Sequence, residues 1–358
     1  MVSLKTPICE LFGIEYPIIQ AGMAGGATTV ELVSSVSGAG GLGTLGAAYM
    51  APYELRTAIN EINSRTSKPF GVNLFAAEAV DDFSRLEDVQ EILNSFRMEL
   101  GISDPSAPLS SPDWNKEQFE ICLELGVPII STAFGLLSAG QMARAKSKNI
   151  KVVAMVTTVA EAEAAESAGV DAIVAQGSEA GGHRGTFTLD KHPFGAQIGT
   201  MSLVPQVVDA VRVPVIAAGG IVDGRGLAAS LVLGAQAVQI GTRFLSSKES
   251  GAHKVYKQAL FDSTEESTVI TKSFSGRPAR GIKNRFIEEF ELAKVEPLPF
   301  PSQNTLTKDI RAAAGKAANP EFMSLWAGQT TRMLTHEMPA ADIVRTIKQE
   351  ADRLFKGG

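Results

Sequence analysis

The sequence has few cysteines, few basic clusters and no long hydrophobic run. Only two cysteines, Cys9 and Cys122, occur among 358 residues. That number argues against a disulfide framework and predicts two buried free thiols in a reducing compartment. We find no apolar run of membrane-spanning length, and no basic start followed by an apolar signal segment. We therefore expect a cytoplasmic protein that has no membrane partner.

Positive charge is also scarce. The chain has 33 Lys and Arg against 39 Asp and Glu, which gives a formal net charge of -6 at pH 7. Nucleic-acid-binding domains usually carry a basic patch or stripe, so we expect no nucleic-acid partner. The four histidines do not combine with cysteines or carboxylates at the spacing of a metal site, and no metal is predicted.

Glycine is the residue in excess. The 34 glycines gather in short clusters, whereas the hydrophobic fraction of 44% and the charged fraction of 20% are ordinary for a globular protein. Glycine clusters of this kind indicate tight turns and close backbone approaches. A length of 358 residues fits one barrel with an appendage, or two domains.

Short β-branched runs alternate with amphipathic helical segments along most of the chain. The runs are continuously apolar, as in parallel strands that are buried on both faces. Eight such βα units match the α/β fold called the TIM (β/α)8 barrel. An open doubly wound sheet is the alternative, but the glycine-rich stretch 38–43 precedes a strand, whereas the dinucleotide fingerprint follows one. The predicted strands are 16–23, 41–46, 70–75, 128–133, 151–157, 172–176, 214–218 and 237–241.

Two regions interrupt the regular spacing. An insertion at 76–115 follows the third strand and includes a turn-rich stretch at 104–113. Long loops after barrel strands lie on the rim that carries the active site. We therefore predict a barrel at 1–245 and a C-terminal extension at 246–358, with the insertion and the extension covering the rim as a mostly helical lid or subdomain. Helical patterns in these regions lie at 86–100, 306–317 and 340–356.

Glycines follow the last two predicted strands, at the end of the barrel where active sites of this fold lie. Gly219 and Gly220 follow the seventh strand, and Gly241 and Thr242 follow the eighth. Such glycines let backbone N–H groups approach a phosphate closely, and the Thr242 hydroxyl can add a donor. Each glycine alone fits an ordinary turn, but together they predict a phosphate site.

His183 lies in a glycine-rich loop after the sixth predicted strand, flanked by Gly181, Gly182 and Gly185. A loop of this kind brings the backbone close to a ligand. A histidine with its ordinary pKa near 6.5 can act as an acid or a base. A solvated loop histidine is the alternative. We predict that His183 is catalytic.

Other side chains at strand ends allow two interpretations each. Met23 is either a core residue or a thioether beside a flat aromatic ligand. Asn73 and Gln176 either cap backbone groups or bond the edge of a heterocycle. Arg184 either balances an anion or forms a surface ion pair. A basic strip in the extension is either solvated or folds back to contact an anion, and it comprises Lys272, Arg277, Arg280 and Lys283.

Five segments together resemble the nitronate monooxygenase family: QAGMAGG at 20–26, SEAGGHRG at 178–185, AAGGI at 217–221, QIGTRF at 239–244 and WAGQ at 326–329. The likeness runs over nearly the whole chain. It implies a TIM barrel with noncovalent FMN and a histidine near the flavin, which the motif places at His183. Gly22 stands where many members have Pro, and there the chain looks like the FMN-dependent enoyl-acyl-carrier-protein reductases. The flavin contacts that the resemblance implies are Gly22, Met23, Ala24, Asn73, Gln176, Gly181, Gly182, Gly219, Gly220, Gln239, Gly241 and Thr242.

The resemblance implies FMN-dependent oxidation of alkyl nitronates by O2 to carbonyl compounds and nitrite. His183 would stabilise the anionic substrate if it were protonated, or take the α-proton of a neutral nitroalkane if it were not. One alternative is an NAD(P)H-dependent flavin reductase that acts on enoyl thioesters or quinones, and another is a non-catalytic flavin-binding protein. The predicted partners are a small-molecule nitronate and O2, and a homo-oligomer is left open.

Overall fold

The computed structural model describes residues 4–76, 80–102 and 110–356. Residues 104–109 of the predicted turn-rich stretch therefore lie outside the described residues. The strands, in chain order, are β1 (Ile18–Gln20), β2 (Gly43–Gly46), β3 (Phe70–Phe75), β4 (Ile129–Ala133), β5 (Lys151–Val156), β6 (Ala172–Gln176), β7 (Gly182–His183), β8 (Val215–Ala218), β9 (Ala237–Ile240), β10 (Thr268–Thr271) and β11 (Ala279–Ile282).

Eight parallel strands form a nearly closed barrel. They pair in the order β1-β9-β8-β6-β5-β4-β3-β2, and a parallel bridge between Ile19 and Leu42 brings the two ends of this order together. The predicted (β/α)8 architecture is confirmed. Strand β1 is shorter than the predicted 16–23, because the chain turns after Gln20 and the Met23 carbonyl accepts a hydrogen bond from the Thr28 amide.

Successive residues of a barrel strand point to opposite faces and therefore belong to two different hydrophobic clusters. Val152 of β5 belongs to the cluster between the strands and the surrounding helices, whereas its neighbour Val153 belongs to a cluster inside the barrel. Ile8 and Phe12 of the first helix, α1 (Pro7–Phe12), join the inner cluster. The helix thus closes the amino-terminal end of the barrel and leaves the carboxyl ends of the strands as its accessible mouth.

Side-chain caps begin many of the helices. At the start of the helix that follows β4, the Ser138 hydroxyl accepts from the Gln141 amide and the Gln141 side chain accepts from the Ser138 amide, which is a capping box.

The helices after α1 are α2 (Val30–Gly38), α3 (Pro52–Arg65), α4 (Leu86–Glu99), α5 (Asn115–Glu124), α6 (Ala139–Ser147), α7 (Val159–Ser167), α8 (Thr200–Ala210), α9 (Gly224–Val232), α10 (Thr242–Leu245), α11 (Lys254–Asp262), α12 (Arg285–Leu292), α13 (Ser302–Leu306), α14 (Lys308–Lys316) and α15 (Ala340–Lys356), with short 3-10 turns at Pro320–Phe322 and Thr331–Met333.

The glycine-rich stretch 38–43 precedes a strand, as predicted, and connects α2, which ends at Gly38, to β2, which begins at Gly43. The helix predicted at 306–317 is confirmed as α14 (Lys308–Lys316), and the short helix α13 (Ser302–Leu306) precedes it. Thr307 separates the two helices, and its hydroxyl donates to the Phe274 carbonyl.

A second hydrophobic cluster joins the insertion to the C-terminal part of the chain. Phe96 of α4 stacks near Phe286 of α12 and Phe322, with ring centroids 4.8 and 5.4 Å away. Phe274 lies parallel to Phe286 at 4.1 Å. The two segments are distant in sequence but share one core, and we expect them to order together.

The C-terminal part divides between two locations. Strands β10 and β11 pair with β7 in a three-stranded antiparallel sheet, which lies beside the loop that follows β6. Helix α15, in contrast, packs against α9 and α2 on the outside of the barrel, and its apolar face, including Ile343 and Ile347, joins the main core. The domain boundary at residue 245 stays a prediction.

Both cysteines are free and buried, as predicted. Burial raises the pKa of the Cys122 thiol to about 12, so Cys122 is a packing residue with little thiolate character. Among the residues that the structure describes, no helix has both the length and the apolar character needed to cross a bilayer.

Candidate functional site

The glycine-rich loop after β6 folds into a short strand that carries His183 to the barrel mouth. In β7, His183 pairs with Ala279 and Gly182 pairs with Arg280 of β11. Gly182 has a φ of +74°, a conformation that glycine adopts without strain. A Cβ atom on Gly181 would lie 2.5 Å from the backbone of residues 327 and 328. The WAGQ segment therefore packs directly on the histidine loop.

Ser275 holds the imidazole ring of His183 through a hydrogen bond at Nε2. The Nε2 atom of His183 lies 2.8 Å from the Ser275 hydroxyl, and that hydroxyl donates its proton to the Arg277 carbonyl at 3.1 Å. In the tautomer in which this hydroxyl keeps its one proton for the Arg277 carbonyl, the Nε2–H group of His183 donates to the hydroxyl. The unprotonated nitrogen of the neutral ring is then Nδ1, which is free to accept a proton.

The surroundings of His183 disfavour its charged form. Burial, followed by the charges of Arg277 and Arg311, lowers the pKa of His183 to about 3. The imidazole is therefore neutral throughout the physiological pH range. Of the two roles predicted for His183, this environment favours the base over the charged stabiliser.

Aromatic rings surround His183 on several sides. The ring centroids of Trp326, Phe134 and Phe300 lie 5.5, 5.7 and 6.3 Å from that of the imidazole. Phe75 lies 4.4 Å from Phe134 and 5.6 Å from Tyr49. These aromatic rings form an apolar wall at the mouth of the barrel.

Phe134 adopts an unusual backbone conformation. Its φ is +69°, which costs a residue with a side chain about 1–2 kcal/mol, and it is 3% exposed. The guanidinium carbon of Arg277 lies 3.9 Å from the centroid of its ring, and this cation–π contact holds the ring against the site. Strain of this kind concentrates at functional sites.

Gln176 is the last residue of β6, as predicted, whereas Asn73 lies within β3, two residues before its end; both are buried. The Gln176 side chain donates to the His183 carbonyl at 2.9 Å and accepts from the Gly185 amide at 2.8 Å. It therefore shapes the histidine loop. Asn73 donates to the Ser131 hydroxyl at 2.9 Å. Contacts of either amide with a heterocycle stay a prediction.

The loop after β1 closes on its neighbours through glycines. A Cβ atom on Gly22 would lie 2.6 Å from the Cβ of Asn73, and one on Gly46 would lie 2.4–2.5 Å from the backbone of Met23 and Ala24. The Met23 sulfur is 3.8 Å from the Cβ position of Gly241. The structure therefore brings the QAGMAGG segment beside the QIGTRF segment.

The predicted phosphate loops are adjacent. Gly219 and Gly220 have φ values of +109° and +72°. The nearest heavy atom to a Cβ on Gly220 is 3.6 Å away in the Glu179 side chain. The Thr242 hydroxyl accepts from the Gly328 amide at 3.0 Å, which leaves its proton available for another acceptor. Gln239 lies in β9, between β1 and β8.

An acidic side chain lies next to these loops. The Glu179 carboxylate accepts from the Thr200 amide at 3.0 and 2.9 Å and from the Thr200 hydroxyl at 2.8 Å. Thr200 begins α8, so the partial positive charge of the helix N-terminus offsets that carboxylate. The carboxylate is thereby fully engaged within the protein.

Arg184 is not the surface ion pair that the sequence allowed. It is 0% exposed, and it donates to the carbonyls of Gly177, Gln176 and Ala196 at 2.8, 2.9 and 3.2 Å. It forms no surface ion pair, and its Nη donors are directed at the backbone, whereas its Nε atom is buried without a hydrogen-bond partner among the described residues. Arg184 instead fastens the base of the loop that carries His183.

The basic strip of the extension separates into two kinds of residue. Lys272 and Lys283 form ion pairs with Glu296 at 2.6 Å and Glu288 at 3.3 Å. Arg277 and Arg280 are 9% and 8% exposed and point inward. Arg280 donates to the Ser178 carbonyl at 2.8 Å, and Arg277 faces the aromatic wall. Only Lys283 is largely exposed, since the Lys272 side chain is 16% exposed against 43% for Lys283.

Sequence reasoning missed several residues of this site. Tyr49 and Phe134 follow strands directly, so inspection of every strand end could have found them. Phe300, Ser275 and Arg311 come from the extension, where no local signal marks their position. Among residues 4–76, 80–102 and 110–356, no group of three His, Cys, Asp or Glu side chains could hold a metal ion.

Comparisons with known proteins agree on one family. The family model described as nitronate monooxygenase matches residues 5–350. A probable nitronate monooxygenase of Staphylococcus aureus (strain Newman) is 44% identical over 353 residues, covering 98% of this chain and 99% of the relative. A probable nitronate monooxygenase of Staphylococcus saprophyticus is 43% identical and covers 97% of this chain and 98% of its own.

Solved structures show the same likeness. A nitroalkane oxidase from Streptomyces ansochromogenes is 37% identical, with a TM-score of 0.90 and coverage of 98% of this chain and 99% of that chain. FabK from Thermotoga maritima is 32% identical, with a TM-score of 0.79 and coverage of 99% and 98%. The likeness therefore includes the barrel, the insertion and the extension.

Proposed function

Because the chain belongs to the nitronate monooxygenase family of FMN-dependent oxidoreductases, we propose that it oxidises alkyl nitronates with O2 to carbonyl compounds and nitrite. The observation that supports this most directly is a neutral His183 with a free Nδ1 atom, enclosed by aromatic rings at the barrel mouth. In the balanced reaction, two nitronate anions and one O2 give two carbonyl compounds and two nitrite ions.

The residues at the mouth fit FMN. Its phosphate can accept hydrogen bonds from the Thr242 hydroxyl and from the backbone N–H groups of Gly219, Gly220 and Gly241. A side chain at Gly220 would fill the space that the phosphate needs. Bound FMN supplies electron transfer from the substrate and the reaction with O2. Further contacts from Gly22, Met23, Ala24, Asn73, Gln176, Gly181, Gly182 and Gln239 belong to the same proposal.

The side chains of the protein accept the α-proton of the substrate and stabilise the anion that results. Nδ1 of His183 accepts the α-proton of a neutral nitroalkane, while Ser275 holds the ring through Nε2. Once the proton has moved, the substrate is an anion in a site where Arg277 and Arg311 supply positive charge. The aromatic wall limits the access of water.

A comparison of two substrate forms tests the role of His183. We expect His183→Asn to lower kcat/KM for neutral nitroethane by about 100-fold or more, in line with the loss of a general base, and to change ethyl nitronate turnover little. His192→Asn, which replaces an exposed histidine, is the matched control. If His183→Asn retains wild-type turnover of nitroethane at equal FMN content, His183 is not the base.

An NAD(P)H-dependent flavin reductase is the second candidate. It is favoured by the likeness to FabK, an enoyl-ACP reductase, and by Gly22 in the first motif. Anaerobic mixing separates the candidates. Bleaching of the flavin by ethyl nitronate alone supports the oxidation of nitronates, and rapid bleaching by NADH or NADPH supports the reductase. A yellow protein that none of these donors bleaches would point to a non-catalytic flavin-binding protein.

A further inference from the structure

The indole ring of Trp326 lies beside His183 at the barrel mouth. The centroids of the indole and imidazole rings are 5.5 Å apart, and their planes are tilted by 54°. The backbone of Trp326 is held on both sides, because its carbonyl accepts from the Tyr256 hydroxyl at 2.5 Å and the residue forms an antiparallel bridge with Gly281 of β11. Since β11 also pairs with the strand that carries His183, one strand fixes the positions of both rings.

One edge of the indole packs against the protein. A Cβ atom on Gly281 would lie 2.9 Å from Cε3 of Trp326, so the absence of a side chain at Gly281 makes room for the ring. The Phe274 ring meets the indole at an interplanar angle of 85°, with the ring centroids 5.7 Å apart. Cε3 and Nε1 belong to opposite long edges of an indole, so the contact with Gly281 directs the N–H group away from that strand.

The N–H group of this indole has no hydrogen-bond partner among the described residues. A buried indole usually finds an acceptor for its single donor. The Nε1 atom of Trp326 is not one of the buried polar atoms that lack a partner, so this donor remains accessible although the residue is half-buried. Neighbouring rings thus carry an accessible, unpaired donor and the unpaired Nδ1 atom of His183.

We propose that the Trp326 indole donates a hydrogen bond to a nitro oxygen of the substrate and is a second catalytic residue beside His183. As the α-carbon loses its proton, negative charge gathers on the nitro oxygens, and a hydrogen bond to an ionised acceptor is roughly twice as strong as one between neutral groups. A donor that is fixed in advance stabilises this charge without reorganisation. An indole is a donor only, so it does not compete with His183 for the proton. The identity of the substrate rests on the proposed function, whereas the available donor rests on the packing of Trp326.

The two residues should differ in the substrates that they affect. The base at His183 matters only for neutral nitroalkanes, whereas nitroethane and ethyl nitronate both present nitro oxygens to the indole. We expect Trp326→Phe, which keeps an aromatic ring but removes the donor, to lower kcat/KM about 10- to 100-fold on both substrates, as for the loss of one hydrogen bond to a charged group. Trp114→Phe, which changes the other tryptophan of the chain, is the matched control and should leave both values unchanged.

A binding measurement tests the donor without turnover. The chain has two tryptophans, so nuclear magnetic resonance of the isotope-labelled holoenzyme gives two indole N–H signals, and Trp114→Phe identifies that of Trp326. Propionate is the probe, because its carboxylate has the planar, two-oxygen shape of a nitro group but contains no nitrogen to release as nitrite. We expect propionate to move the proton signal of the Trp326 N–H group downfield, and Trp326→Phe to weaken propionate binding, followed through flavin absorbance, about 10-fold or more.

Three results would overturn the proposal: a Trp326 signal that stays in place while propionate perturbs the flavin spectrum, no perturbation of either by propionate, or a shift that FMN binding produces in full and propionate does not change. The last result would assign the N–H group to the cofactor. If Trp326→Phe does not fold, the titration of the wild type still decides. A propionate-dependent shift in a protein that turns over no nitronate would retain the donor and refute the proposed function.

Discussion

The lowered pKa of His183 predicts an unusual pH profile for activity on neutral nitroalkanes. A histidine with its ordinary pKa of about 6.5 is about 3% neutral at pH 5. With the pKa at about 3, His183 is about 99% neutral at that pH. With the lowered pKa, the neutral imidazole is therefore available as a base at both pH 8 and pH 5. At pH 5 the neutral fraction is about 30-fold larger with a pKa of about 3 than with a pKa of about 6.5.

The assay is kcat/KM for freshly prepared nitroethane between pH 5 and pH 8, with FMN content and circular dichroism checked at each pH. We expect a flat profile for the wild type. Arg311→Gln removes one of the charges that lower the pKa of His183, so its profile should begin to fall at a higher pH than that of the wild type. A tenfold loss per pH unit below 6.5 in the wild type would refute the reasoning.

Three further predictions follow from single contacts. Ser275→Ala should lower kcat for nitroethane about 5-fold, as expected for the loss of one hydrogen bond, while stopped-flow rates with ethyl nitronate stay unchanged; equal losses on both substrates would contradict the tautomer assignment. Arg184→Met should lower the free energy of unfolding in urea by about 2–4 kcal/mol, because three buried carbonyls lose their donor; a loss below about 0.5 kcal/mol would contradict it. Gly181→Ala should lower the melting temperature and the FMN content together, because the new methyl group meets the backbone at Gly328; an unchanged melting temperature would show that the segment yields.

The barrel could be predicted from the sequence because its signals are local. Each strand is a short apolar run, and the glycines at Gly219, Gly220 and Gly241 mark loops whose place follows from the strand count. The same logic led to His183. These features depend on residues within a few positions of one another, so no knowledge of distant contacts is needed.

The rest of the site depends on packing between distant segments. The charge of Arg311 acts on the pKa of His183 from α14, whose Ile310 and Ala314 belong to the hydrophobic cluster that also includes α4. Arg184 carried a misleading signal, since a charged residue in a loop normally lies in water. Only the tertiary arrangement shows that the carbonyls of Gly177 and Gln176 face inward and require its donors.

The pairing of β7 with β11 has a consequence for biosynthesis. A nascent chain that has emerged only as far as residue 245 already contains all eight barrel strands, yet the segment that pairs with Gly182 and His183 has not been made. The histidine loop therefore acquires its geometry late, after residues 268–282 have left the ribosome. Truncation of the gene anywhere before that point should leave the loop that carries His183 without its β11 partner.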